Sequence, residues 1–358
     1  MNDDYAPRLL SKPPISAGTF VFAAAHLDHP HIHDQCRGLI AAGASLTWVY
    51  DPQPERVSAF QKLFPQARAA RSLEEILADP AVRLVTAAAI PCDRGPIGCR
   101  VMDAGKDYLT DKAPFTTLDQ LEEARLAVAR TGRRYMVFYG ARLGQECSVH
   151  AEVLIQKGII GQVLQVIGLG PHRIRKPTRP AWFFLRERYG GILCDLGSHQ
   201  CDKFLAYTGS TDATVLHSAV GNFGNPDHPE LEDYGEATLL GSSGATHYHR
   251  VDWFTPDGQS TWGDSRTFVL GTRGTIELRS TCDVGQSPQG ELLILVDHAG
   301  EYRIPCAGRV GLPFYRDFIG DCLERTEHAM TQAHAFKAAE LCLRTQATAR
   351  RLDSKNRP

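Results

Sequence analysis

The sequence predicts an α/β protein: an N-terminal Rossmann domain with a doubly wound parallel sheet, followed by a C-terminal α+β domain with a large, mostly antiparallel sheet. Three observations predict this. The 358 residues are too many for one ordinary core. Residues 1–140 alternate short apolar runs with helical patterns. Strand-like segments dominate the part that follows. We place the domains at 1–140 and 141–330, with a C-terminal helix in 331–358.

In the N-terminal domain, strands and helices are expected to alternate. Strands are predicted over 18–25, 45–51, 82–90, 106–111 and 133–140. Helices are predicted over 31–43, 54–64, 72–80, 95–105 and 117–132. Local residues support several helix ends, because Ser72 suits an N-cap, Pro54 suits a first turn, and Gly43 suits a C-terminal stop.

The C-terminal domain is expected to be rich in antiparallel strands. These are predicted over 162–170, 213–221, 234–241, 245–253, 266–271, 274–279, 291–296 and 301–304. Helices are predicted over 145–158, 192–208, 312–326 and 331–352. Short turns at 242–244 and 272–274 predict hairpins, which require antiparallel neighbours.

The composition excludes several classes of protein. The net charge is -2 and no basic face stands out, so we expect no nucleic-acid partner. No apolar run approaches the roughly 20 residues that cross a bilayer, so we expect no membrane partner. The acidic, proline-rich start differs from a secretory signal, which favours the cytoplasm. The ten cysteines form no C-x-x-C pair and are expected to be reduced thiols.

Four stretches fall at the carboxyl ends of the predicted parallel strands, where ligands bind in a doubly wound fold. They are the loop 23–34, Asp51, 88–95 and 109–115. Asp51 follows the loop by some 20 residues, where a carboxylate can bind the ribose of NAD and repel the 2′-phosphate of NADP. An ordinary Asp-Pro turn explains Asp51 about equally well.

A fifth stretch lies in the second domain. Asp195, His199 and Asp202 are spaced so that on a helix they share one face. The glycines at 190 and 191 allow another segment or a ligand to come close. An acid one turn before a histidine can orient the imidazole and tune its proton affinity. The same spacing also fits a packed, neutral histidine beside an exposed carboxylate.

Two motifs together resemble the Gfo/Idh/MocA family, the dehydrogenases similar to glucose–fructose oxidoreductase and inositol 2-dehydrogenase. The family's E-K-P motif corresponds to Asp111-Lys112-Ala113-Pro114. Its G-G-x-x-x-D-x-G-x-H motif corresponds to Gly190-Gly191 through Asp195 to His199. The resemblance extends from the strand at 18 to the last helix. It implies that this helix packs back on the Rossmann domain.

The resemblance implies an NAD(P)-dependent oxidoreductase that acts on a ring hydroxyl of a sugar, sugar derivative or cyclitol. Lys112 would contact the nicotinamide ribose and the reacting hydroxyl. His199 would be the general acid/base, oriented by Asp195. The residues predicted to bind the cofactor are His26, Leu27, Asp28, His31, Ile32, Asp51, Ile90, Pro91, Asp111 and Lys112. NAD is expected rather than NADP because of Asp51.

The loop 23–34 departs from the family pattern, because it lacks the glycine-rich phosphate loop and carries four histidines. His26 stands about where the first glycine would be. We predict no metal, since a helix would place His29 and His33 on one face and His31 on another, and no further ligand cluster is obvious. We expect instead that backbone N–H groups at the start of the helix near Pro30 bind the cofactor's pyrophosphate.

Two other functions compete with a dehydrogenase: a redox-neutral sugar-modifying enzyme with trapped NAD, and a catalytically silent ligand-binding homologue. Retention of Lys112 and His199 opposes the silent homologue, and the missing glycines favour it. The substrate-binding candidates are Tyr139, Arg142, His172, Arg173, Trp182 and His199. The second sheet needs cover on its outer face, which predicts a homodimer or homotetramer.

Overall fold

The computed structural model describes residues 5–10 and 12–352, and the chain forms two compact units. The parallel-sheet unit consists of Ser11–Phe138 and Pro313–Phe336. The antiparallel-sheet unit is built mainly from Tyr139–Leu312, together with the first residues of the chain and the segment that starts at Lys337. The boundary between the units therefore falls close to residue 140, and the C-terminal region contributes to both.

The parallel-sheet unit contains six strands in the order β3-β2-β1-β4-β5-β6, all parallel, as in dinucleotide-binding folds. The strands are β1 Val21–Ala25, β2 Ser45–Tyr50, β3 Arg68–Ala69, β4 Leu84–Ala87, β5 Asp107–Asp111 and β6 Tyr135–Phe138. The helices between them are α1 His31–Ala41, α2 Pro54–Leu63, α3 Leu73–Ala78, α4 Pro91–Asp103 and α5 Leu118–Thr131. The predicted doubly wound sheet is confirmed.

Local sequence explains where these helices begin. The Ser72 hydroxyl accepts the N–H of Glu75 at 3.3 Å and caps α3. Pro54 occupies the first turn of α2, as predicted. The prediction for α4 was wrong, because the helix begins at Pro91 and not at residue 95. Pro91 fits the first helical position, where its missing N–H costs no hydrogen bond.

The antiparallel-sheet unit contains nine strands in the order β14-β13-β12-β11-β7-β10-β9-β8-β15. They are β7 Val163–Pro171, β8 Ala213–Gly221, β9 Tyr234–Gly241, β10 Thr246–Asp252, β11 Arg266–Gly271, β12 Gly274–Arg279, β13 Leu292–Asp297, β14 Gly300–Pro305 and β15 Arg350–Arg351. The β9–β10 and β11–β12 hairpins form as predicted. Among the described strands of this sheet, only the β7–β10 and β8–β15 pairs are parallel.

The remaining α-helices complete both units. They are α6 Gly140–Leu143, α7 Glu146–Gln156, α8 Arg186–Tyr189, α9 Ile192–Asp195, α10 Gly197–Thr208, α11 Phe314–Glu324 and α12 Gln332–Ala347. The single helix predicted over 192–208 is divided at Leu196 into α9 and α10. No helix in the described ranges has the length and apolar character that a bilayer crossing requires.

One face of the nine-stranded sheet is covered within its own unit. Gly168 and Gly170 on β7 leave room for Gln200 of α10, whose side chain lies where their side chains would be. On the other face, Phe268 is 36% exposed and Leu270 is 44% exposed. Phe268 of β11 lies opposite Ile167 of β7, so these apolar side chains form a strip on that face.

Candidate active site

The turn after β1 forms without glycine. His26 adopts the left-handed backbone conformation, with φ of 53°. Its N–H donates to the carbonyl of Tyr50 at 2.9 Å, and its carbonyl accepts the N–H of Ala88 at 3.1 Å. These bonds join the turn to the ends of β2 and β4. His26 thus takes the role predicted for the first glycine, at the cost of a strained non-glycine conformation.

The main-chain N–H groups at the start of α1 already have acceptors, contrary to our expectation of a backbone anion site. Leu27 donates to Asp51, His29 to Ala88, and His31 to the Nδ1 of His29. The N–H groups of Ile32 and His33 donate to the carbonyls of His29 and Pro30. An anion here would therefore rely mainly on side chains. Ile32 itself is fully buried in the core.

Asp51 holds the loop in place from the end of β2. One carboxylate oxygen accepts the N–H of Leu27 at 2.7 Å, and the other accepts the N–H of Gln53 at 2.9 Å. Arg56 Nη1 lies 3.6 Å from the same carboxylate and also hydrogen-bonds Asp28. Two carboxylates therefore face one guanidinium, so this group of three side chains carries a net negative charge.

Asp111, at the end of β5, lies next to two histidines of the loop. His31 Nδ1 is 3.0 Å from both carboxylate oxygens, and His29 Nδ1 is 3.6 Å from one of them. Burial acts to raise the pKa of Asp111, but the charges of His31 and Arg94 outweigh it and hold this pKa well below its usual range. Burial, with His31 nearby, lowers the pKa of His29 well below its usual value. Asp111 is therefore ionised and His29 neutral at pH 7.

Buried Arg94 on α4 fixes the chain after β5. Its Nε donates to the carbonyl of Ala89 at 2.7 Å, and its Nη1 donates to the carbonyls of Lys112 and Ala113. Its Nη2 lies 3.4 Å from Asp111. Lys112 is 6% exposed, and the peptide that follows it is cis. Ile90 and Pro91, which were predicted to bind the cofactor, lie at the start of α4, the helix that carries Arg94.

In the antiparallel-sheet unit, Asp195 ends α9 and His199 lies in the first turn of α10. His199 is 9% exposed, and Asp195 is partly exposed. Burial of this order fits a positioned imidazole.

We expected the glycines at 190 and 191 to let either another chain segment or a ligand come close, and at Gly191 it is a chain segment. A side chain at Gly191 would collide with Gln346. Gln346 Oε1 accepts the N–H of Leu193 at 2.9 Å, and Glu232 accepts the N–H of Ile192 at 2.9 Å. The start of α9, and through it Asp195, is thus held by two buried side chains.

Asp202 and Arg142 form a buried ion pair, which the sequence did not reveal. Arg142 donates to both oxygens of Asp202 at 2.8 Å and to Glu152 at 3.0 Å. Asp202 therefore serves Arg142, and the Arg142 guanidinium is occupied by carboxylates of its own chain. Tyr139 is fully buried as well. We do not carry Arg142 and Tyr139 forward as substrate-binding residues.

The other substrate candidates lie in an aromatic region beside α9. His172 packs against Trp262 and Trp253, with ring centroids 4.4 and 5.5 Å apart. Arg173 donates to the carbonyls of Pro256 and Gln259 and so holds a loop. Trp182 packs on the same hydrophobic cluster as Trp253.

Sequence reasoning missed Arg179 in this region. Its guanidinium lies over the rings of Phe183 and Trp253, at 4.5 and 4.9 Å. Burial lowers the pKa of Arg179, and the charge of Asp195 opposes this. Arg94 and Arg56 were missed as well, because they lie on helices with no local mark of function. His29, two positions before His31, was weighed only as a metal ligand and was not among the residues predicted to bind the cofactor.

The parallel-sheet unit fits a nicotinamide dinucleotide in part. All four predicted stretches lie at the carboxyl edge of the sheet, and the strand order reverses between the neighbours β1 and β4, as in dinucleotide folds. The Nε2 of His26 is buried and has no hydrogen-bond partner among the described residues, so it can bind a ligand atom. The side chains that could hold the cofactor are those of His26, His31, Asp51, Arg56 and Lys112.

Two family profiles match the chain. Residues 17–139 match the oxidoreductase family with an NAD-binding Rossmann fold. Residues 149–277 match the GFO/IDH/MocA C-terminal domain. Together these matches cover most of the sequence, one in each predicted domain.

Individual relatives agree with the profiles. A crystal structure of a candidate oxidoreductase from Erwinia carotovora atroseptica SCRI1043 is 46% identical, with a TM-score of 0.91 over 93% of this chain and 100% of that chain. Levoglucosan dehydrogenase, in complex with NADH and levoglucosan, is 15% identical with a TM-score of 0.79 over 92% and 96% of the chains, which shows a shared fold.

A curated relative aligns over a shorter region. The scyllo-inositol 2-dehydrogenase (NADP(+)) IolW of Bacillus subtilis (strain 168) is 26% identical over 187 residues, which are 51% of this chain and 50% of that protein. The chain spans about half the length of the curated relatives it matches.

Proposed function

The chain belongs to the GFO/IDH/MocA family of oxidoreductases, and on that premise we propose that it is a nicotinamide-dependent dehydrogenase acting on a ring hydroxyl of a sugar, sugar derivative or cyclitol. One observation carries this proposal. Asp111 ends β5 of a sheet of the dinucleotide-binding type, and Lys112 follows it; both residues are buried. They lie at the same edge as the β1–α1 loop, which lacks glycine and is held by main-chain hydrogen bonds. Two of the three named relatives, the inositol and levoglucosan dehydrogenases, act on ring polyols, which supports the substrate class.

We propose NAD as the preferred cofactor. The net negative charge of Asp28, Asp51 and Arg56 opposes a 2′-phosphate. Asp51 acts through this charge and by shaping the loop, since its two oxygens already accept backbone N–H groups. His26 Nε2 and the half-exposed His31 supply side-chain hydrogen bonds in place of the missing glycine loop.

In the proposed reaction, the bound nicotinamide supplies hydride transfer to or from the carbinol carbon. His199 takes the hydroxyl proton during oxidation and returns it during reduction. Asp195 orients the His199 imidazole, and Lys112 binds the nicotinamide ribose. Arg94 keeps Lys112 in place, because it binds the carbonyl of that residue.

We propose that the aromatic region around Trp182 and His172 faces the sugar ring. Aromatic faces pack well on the C–H surfaces of sugars, while indole N–H groups donate to hydroxyls. The Nε1 atoms of Trp182 and Trp253 are buried without partners among the described residues, which fits ligand contact.

We also propose a homo-oligomer. The apolar strip of Ile167, Phe268 and Leu270 lies on the outer face of the nine-stranded sheet, and a second copy would remove it from water.

A panel of sugars and cyclitols, assayed for NADH and NADPH formation, tests the proposed function. We expect oxidation of at least one ring polyol with NAD. Failure of both cofactors to bind in calorimetry would contradict the proposal. Absorbance near the nicotinamide band in freshly purified protein, without exchange on adding NAD, would favour the redox-neutral enzyme with a trapped cofactor.

A further inference from the structure

Two histidines of the β1–α1 loop and the carboxylate at the end of β5 bring three ligand atoms together. One ring nitrogen from each of His29 and His31 and a carboxylate oxygen of Asp111 all lie within 4.8 Å of one another. His31 Nδ1 is 3.0 Å from each oxygen of Asp111, and His29 Nδ1 is 3.6 Å from the nearer one. The sequence argument against a metal failed to find this third ligand.

The separations match those around a metal ion. Bonds of about 2.0–2.2 Å from zinc to nitrogen or oxygen place neighbouring ligand atoms about 3.0 Å apart at right angles, and about 3.4 Å apart at tetrahedral angles. The separations of 3.0 and 3.6 Å from the histidines to Asp111 fall around these values. An ion could therefore enter with small rotations of the side chains.

We propose that His29, His31 and Asp111 form a binding site for a divalent transition-metal ion. Two imidazoles and one carboxylate on one side of the ion leave its other positions open for water or for a ligand. The site shares His31 and Asp111 with the residues proposed to bind the cofactor, whereas the dehydrogenase reaction itself needs no metal.

The ligand types indicate which ions fit. Arg94 lies 3.4 Å from Asp111, and Lys112 follows it in sequence, so positive charge opposes any cation here. Hard ions such as Mg²⁺ and Ca²⁺ prefer oxygen ligands and find only one carboxylate among the three ligand groups. Imidazole nitrogens favour zinc, cobalt, nickel, iron or copper.

The same contacts have a metal-free explanation, in which His31 simply donates to Asp111 and the loop is held by that hydrogen bond. His29 Nδ1 also accepts the N–H of His31 at 3.3 Å, and this long bond must open for the nitrogen to bind an ion. The two explanations predict different results in a metal titration.

The test is titration of the full-length, tag-free protein with Co²⁺ after chelator treatment, followed by visible absorption and by metal analysis of the desalted protein. We expect one Co²⁺ per chain, displaced by Zn²⁺. His29→Gln and His31→Gln should each weaken Co²⁺ by upwards of about 100-fold, since even the loss of a residue that supports a ligand costs 10–100-fold. His33→Gln is the matched control, because its ring packs on Phe60 and Phe64 away from the site.

Absence of stoichiometric Co²⁺ in the unmodified protein would overturn the proposal, and so would equal affinity in His31→Gln and His33→Gln. Circular dichroism and thermal unfolding of each variant show whether it folds, and the unmodified protein decides the matter if one does not. NAD titrations of chelator-treated protein run in parallel. They report on the proposed dehydrogenase separately, because a failed metal titration leaves the NAD result unchanged.

Discussion

Replacing Asp51 by asparagine should loosen the β1–α1 loop and weaken discrimination against NADP. The carboxylate accepts one N–H on each oxygen, from Leu27 at 2.7 Å and from Gln53 at 2.9 Å. Asparagine keeps one acceptor and places an NH2 group against the other N–H. The variant therefore loses one charge-assisted hydrogen bond and one negative charge.

The size of each effect follows from these contacts. A hydrogen bond to a charged group contributes about 1.5–3 kcal/mol, so we expect a loss of about 2 kcal/mol in the free energy of unfolding. For a unit of this size that lowers the unfolding midpoint by about 4–8 °C. Two unit charges 4 Å apart at an effective dielectric constant of about 20 interact by about 4 kcal/mol, and the interaction falls with distance, so the affinity ratio of NADP to NAD should rise about ten-fold or more.

Thermal unfolding and calorimetric titration with both cofactors measure these two effects. Asp28→Asn is the matched control, because Asp28 also pairs with Arg56 but its side chain is 12% exposed. A partly exposed ion pair contributes about 0–1 kcal/mol, so the control should keep its midpoint while shifting toward NADP. Equal midpoints for Asp51→Asn and the unmodified protein would refute the assigned role in the loop. An unchanged cofactor ratio would refute the electrostatic argument.

Two further predictions concern the antiparallel-sheet unit. Burial lowers the pKa of His247 to about 4, whereas the unfolded chain binds that proton at about pH 6.5. Unfolding free energy should therefore fall by roughly 3 kcal/mol as pH drops from about 6.5 to about 4. Urea titrations should show a smaller fall in His247→Gln and an unchanged one in the exposed control His217→Gln. Phe268→Glu should convert an oligomer to monomers in light scattering, whereas Leu126→Glu, on a helix of the other unit and 56% exposed, should not; a monomeric unmodified protein would contradict this.

Much of the fold follows from local patterns. Alternating apolar runs and caps such as Ser72 specify the parallel-sheet helices and strands, and the turn at 242–244 specifies a hairpin. Predicted helix boundaries are wrong where one residue fits two local structures. Pro91 suits both a loop exit and a first helical turn, and only packing decides between them. Leucine is not a helix-breaking residue, yet the predicted helix is divided at Leu196.

The site is less predictable, because its contacts join distant residues. His26 could be placed at the missing glycine by its position after β1. Asp111 lies 80 residues from His31, and β5 brings it to the loop only through its pairing with β4, which lies beside β1. Asp202 lies 60 residues from Arg142, and spacing along one helix pointed to His199 instead. Sequence spacing describes one element, whereas ion pairs and metal ligands depend on how elements pack.

Transfer of a labelled hydride tests the central claim most directly. The protein is incubated with NAD and ring polyols deuterated at their carbinol carbons, and the cofactor is analysed by mass spectrometry. We predict deuterated NADH from the unmodified protein, with Lys112→Ala and His199→Ala slowed by about 10²–10⁴-fold while remaining folded. The account would be contradicted if none of the polyols gave deuterated NADH. It would also be contradicted if both variants transferred deuterium at a near-normal rate.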